Sequence, residues 1–132
     1  MQNEPVLDGN EKLEQAIADV QAAPSQETLA AALTVLRRRM RAGGHLIPAV
    51  GADMRLGTVK TPDGRAWLCA FTSREQQMKG GEQVLSAFTA EIEPMLRAAL
   101  TEKEAAGLIL NPWERTLMLD KTLLRIVLGE EE

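Results

Sequence analysis

The sequence predicts a mixed α/β (α+β) fold: two N-terminal helices, a small mixed β-sheet containing a hairpin and packed with helices, and a short C-terminal helix. Three observations predict it. The first half carries apolar residues at helical spacing. The spacing then gives way to short apolar runs broken by Pro and Gly. A helical stripe returns near the end. The 132 residues make one ordinary domain spanning 1–132, with no internal repeat and no linker.

Each element has a local cause. Asp8 and Glu11 have capping-box spacing, and Leu13, Ile17 and Val20 follow at i, i+4, i+7. Pro24 breaks this helix and Ser25 caps the next, because its hydroxyl can accept from freed N–H groups. Leu29, Leu33, Leu36 and Met40 stripe the second helix, which Gly43–Gly44 ends. His45–Val50 reads as a strand, with Pro48 at an edge or strand end because it cannot donate to a ladder. Leu56–Thr61 and Ala66–Thr72 flank Thr61-Pro62-Asp63-Gly64, the clearest hairpin signal in the chain. Trp67–Phe71 is apolar on both faces and reads as a central strand.

Ser73 caps a helical turn to Met78, and Val84–Phe88 fits strand or helix equally. Ile92, Met95, Leu96 and Ala99 form a helical stripe, with Pro94 in its first turn, where a missing N–H costs little. Gly107–Leu110 reads as a buried strand and Asn111-Pro112 as a turn. Thr116–Leu119 continues the sheet. Asp120 caps a last helix carrying Leu123, Leu124, Val127 and Leu128, closed by Gly129.

Composition narrows the function classes. Aromatics are 3% of residues and the net charge is -4, which argues against a base-stacking nucleic-acid platform. The single Cys69 leaves no intramolecular disulfide and suits a reducing compartment. The N-terminus has neither a basic region nor an apolar core of signal type, and apolar runs fall short of the roughly 18 residues a span needs. The expected location is cytoplasmic, with no membrane partner.

No catalytic constellation emerges. His45 and Cys69 supply too few ligands for a zinc site, and no nucleophile-elbow spacing accompanies Ser73 or Ser86. Gly80–Gly81 lacks the frame of a phosphate loop. Arg37, Arg38, Arg39 and Arg41 are densely basic, but successive residues turn by ~100°, so no single stripe is expected. The better reading is a solvated helix end whose cations complement the macrodipole. No cofactor and no nucleic-acid partner are expected.

Three segments carry a family resemblance: Leu29–Val50 (LAAALTVLRRRMRAGGHLIPAV), Leu68–Glu75 (LCAFTSRE) and Gly107–Trp113 (GLILNPW). In order and spacing the chain resembles the N-terminal domain family of SseB, the enhanced serine sensitivity protein, from the second helix to the C-terminus. The resemblance implies the same mixed fold, and it brings no accepted catalytic mechanism and no cofactor. Longer members carry a second domain, for which 132 residues leave no room, so roles that need both domains are not expected of this chain alone.

The candidate site is a rim at strand ends. If the strands ending at Phe71 and Leu110 run parallel, Thr72, Ser73 and Arg74 meet Asn111, Pro112 and Trp113 at one carboxyl end. An exposed Trp113 there suits a binding hot spot, whereas a Trp113 under the last helix would be core. The expected function is a non-enzymatic protein-interaction or regulatory module whose partner is another protein. A homodimer through an exposed edge near Pro48 is a further expectation. The alternative is a small-molecule domain in which Arg74 pairs an amino-acid-like carboxylate beside Thr72, Ser73 and Asn111.

Overall fold

In the computed structural model, residues 7, 9–49, 58–78, 89–112 and 116–129 are described. Among them lie five helices and six strands. The order is α1 (Asn10–Ala22), α2 (Gln26–Arg41), β1 (His45–Pro48), β2 (Thr58–Lys60), β3 (Ala66–Phe71), α3 (Arg74–Met78), β4 (Ala90–Glu91), α4 (Ile92–Thr101), β5 (Ala105–Leu110), β6 (Leu117–Asp120) and α5 (Lys121–Leu128). The α+β expectation is met. No described helix is long and apolar enough to cross a membrane.

The sheet runs β4-β1-β3-β5-β6, with β2 pairing β3 alongside β1. Only the β3–β5 pair is parallel. Its crossover carries α4, as a parallel connection requires. Alternation along the strands splits the side chains between two faces. Leu46, Leu68, Ala70, Leu108, Leu110 and Leu119 face α1, α2, α4 and α5 and build the main core. Ile47, Ala49, Cys69 and Phe71 form a smaller cluster, joined by Leu7 and Val59. The predicted helical stripe on α4 is correct: Ile92, Met95, Leu96 and Ala99 are all buried.

Local signals account for most boundaries. The Ser25 hydroxyl accepts from Thr28 N at 3.1 Å and the Thr28 hydroxyl from Ser25 N at 3.0 Å, a reciprocal cap for α2. Asp120 accepts from Leu123 N at 2.9 Å, and Gly129 ends α5 at φ 79°. The hairpin forms as expected, with Gly64 at φ 86° and Trp67 paired opposite Val59. Ser73 Oγ accepts from Gln76 N at 3.2 Å at the start of α3.

Three expectations need correction. Gly9 at φ 94°, not Asp8, occupies the N-cap of α1, and no side chain caps that helix. Glu11 instead accepts from Gly9 N at 2.9 Å. Asp8 itself lies outside the described residues, as do Val84–Phe88, Ser86, Gly80 and Gly81. Pro48 is buried, and β1 lies between β4 and β3, so β1 is not an edge strand among the described residues. The strand tolerates the proline because it falls at the strand end, where β4 pairs only His45 and Leu46. The third correction concerns the arginines. Arg39 turns back to Asn10, with Nε donating to Oδ1 at 2.8 Å, while Arg37, Arg38 and Arg41 share one groove. Positions i, i+1 and i+4 span only about one 100° step, so three of the four do fall together.

Candidate functional site

The rim at the carboxyl ends of β3 and β5 rests on the parallel register of these strands, Cys69 opposite Ile109 and Ala70 opposite Leu110. Asn111 N extends the ladder by one bond, donating to Ala70 O at 2.9 Å. The chain then turns at Asn111, the sole described non-glycine residue at positive φ (53°). Asparagine tolerates that region better than other side chains. Its amide also replaces the next rung: Thr72 N donates to Asn111 Oδ1 at 2.9 Å, and Asn111 Nδ2 donates to Thr72 Oγ1 at 3.0 Å. Thr116 Oγ1 donates to Asn111 O at 2.6 Å across the following turn.

Thr72 and Asn111 are both fully buried. The Thr72 hydroxyl also donates to the Glu14 carboxylate on α1. One turn earlier on α1, Asn10 is 1% exposed and bridges three elements. Its Nδ2 donates to His45 O at 2.9 Å and to Thr72 O at 3.0 Å, while its Oδ1 takes the Arg39 bond. Asn10 and Glu14 stand at i, i+4, so one face of α1 meets the strand ends. This polar cluster fastens α1, α2, β1, β3 and β5 at one end of the sheet. Every polar atom of the Thr72 backbone and side chain is engaged within it, as burial demands.

The remaining predicted residues sit around this floor. Ser73 is half-buried and caps α3. Arg74 is half-buried, and its Nη1 donates to Gln77 Oε1 at 3.2 Å. Pro112 is half-buried beside Asn111. Trp113 lies outside the described residues. Thr72 and Asn111 are thus brought together by direct bonds. Met78, 66% exposed at the end of α3, is the most exposed large apolar side chain among the described residues.

A match to the family model for the SseB protein N-terminal domain covers residues 13–125. The chain belongs to the SseB N-terminal domain family. The SseB match therefore spans both strands of the rim and every described residue of its polar floor except Asn10. No curated protein and no solved structure matches the chain.

Among the described residues, the one thiol is shielded and the one imidazole is engaged. Cys69 is buried in β3, and loss of hydration pushes its thiol up to about 12, so it stays protonated at neutral pH. His45 is half-buried, with Nδ1 2.9 Å from Thr89 Oγ1. In the hairpin, the Thr61 hydroxyl and the Arg65 backbone N–H both donate to Asp63 and hold its carboxyl below the usual range.

Sequence reading missed Asn10 and Glu14. An asparagine at the start of a helix reads as a capping residue. Its true partners stand 35 and 62 positions away, where no spacing rule reaches.

Proposed function

We propose that this SseB-type domain is a non-enzymatic protein-interaction module whose contact surface is the β3–β5 rim. One observation carries the reading: the polar groups at the rim are already bonded to one another and to α1. They form a bonded base adjoining Ser73, Arg74 and Pro112, with the exposed Met78 at the far end of α3. Such a base lowers the ordering cost of docking a protein surface. Interaction hot spots draw on Arg and Trp, the types at positions 74 and 113. The protonated Cys69 and the engaged His45 support the non-enzymatic part of the reading.

The carboxylate-binding alternative has less support. Thr72 and Asn111 already spend their bonds within the fold, and the Arg74 guanidinium already donates to Gln77. The test is affinity capture from native lysate with wild type, Arg74→Ala and Trp113→Ala, after circular dichroism shows that the variants fold. A protein held by wild type and lost with either folded variant is the expected result. Equal recovery with all three baits would remove the rim from the account.

A further inference from the structure

A second surface lies on the helical face of the molecule. Residues of α2 and the last turn of α5 bound an open groove of about 360 Å³. Its apolar floor includes Ala30, Leu33 and Ile126, and Arg38 and Arg41 stand at its margin. Arg37 builds it. Arg37 Nε donates to Val127 O at 3.1 Å, and its Nη2 donates to Ile126 O. These carbonyls belong to the last turn of α5, and Ile126 O also accepts from the capping Gly129 N at 3.1 Å. The Arg37 charge is therefore spent as a tie between the helices, which fixes the groove in advance.

Arg38 and Arg41 are different. Both are exposed, they stand at i, i+3 on the same face of α2, and neither has an ion-pair partner among the described residues. Two exposed guanidinium groups beside an apolar trough complement a ligand that is apolar in the middle and acidic at its flank. An amphipathic helix offers that pattern, with side chains at i, i+3, i+4 and i+7 for the trough. A nucleic-acid strand would leave the apolar floor unused, and it would meet a chain of net charge -4.

We propose that the α2–α5 groove docks an acidic amphipathic helix of a partner protein, with carboxylates against Arg38 and Arg41. The proposal rests on the interaction reading above and adds a surface remote in sequence from the rim. The sequence after α5, Glu130–Glu132, is itself acidic, so the test uses both the full chain and a form ending at Gly129.

The probe is a fluorescent synthetic peptide with Leu at i, i+3, i+4 and i+7 and Glu on its flank, followed by anisotropy. The expected result is saturable binding by at least one form. Arg38→Glu/Arg41→Glu should weaken it by about tenfold, about 1.4 kcal/mol. Both arginines are exposed, so circular dichroism of the double variant should match wild type. Arg74→Ala should leave the peptide affinity unchanged, which separates this groove from the rim: loss here leaves the rim reading standing, and the reverse. The proposal is overturned if neither form binds, if a Lys-for-Glu peptide binds equally, or if the double variant binds like wild type. Tighter binding of a mixed-sequence DNA duplex would also overturn it, in favour of a nucleic-acid surface.

Discussion

Replacing Asn111 separates a structural floor from a ligand-binding group. In Asn111→Ala the buried Thr72 N–H loses its acceptor, a loss of about 1–3 kcal/mol. Alanine must also hold φ near 53°, at about 1–2 kcal/mol more. The expected destabilisation is about 2–5 kcal/mol, a large part of the roughly 5–15 kcal/mol of a typical domain. Asn111→Gly loses the same bonds but accepts the backbone conformation, so it should lie between alanine and wild type. Urea unfolding followed by far-UV circular dichroism reads this directly. With a slope of about 1–3 kcal/mol per molar, the alanine midpoint should fall by roughly 1 M or more. Glycine as costly as alanine would refute the strain contribution. Both variants within about 0.5 kcal/mol of wild type would refute the floor itself and return Asn111 to a ligand-binding role.

Other outcomes follow from single positions. Gly107→Ala places a Cβ 2.0 Å from Leu119 O, a backbone atom that cannot swing away, and should cost about 1–3 kcal/mol in thermal denaturation. Asp120→Ala removes the cap of α5 and should cost about 1 kcal/mol by the same assay. Cys69 titrates near 12 when folded, against an ordinary value of 9.0, so its contribution to stability is complete below pH 9 and lost as pH rises toward 12. Cys69→Ala should flatten that alkaline decline in pH-dependent urea midpoints. Native Cys69 should also resist a thiol-reactive disulfide reagent until the protein unfolds.

Local chemistry made much of the fold legible. The Leu29, Leu33 and Leu36 spacing, the Ser25 cap and the Pro-Asp-Gly turn each act within a few residues, and each appears where expected. The approach of Thr72 to Asn111 was legible too, because it follows from a parallel pairing of two apolar runs. Their burial was not. It depends on Asn10 and Glu14 arriving from α1, a tertiary event with no sequence period. The two residues of β4 were hidden for a related reason: a strand that short has no alternation to read, and it forms because β1 is beside it. The fates of Arg37 and Arg39 likewise depended on which helices lay across from them.

The central claim is that the β3–β5 rim meets a protein. Site-specific photo-crosslinking in living cells tests it most directly, with the reactive group at Met78, at the end of the helix that follows β3, and, as a control, at Lys103, which precedes β5 at the opposite end of the sheet. The account predicts a discrete adduct from position 78 that is absent from position 103 and diminished by Arg74→Ala. Identical adducts from both positions, or none from position 78, would contradict it.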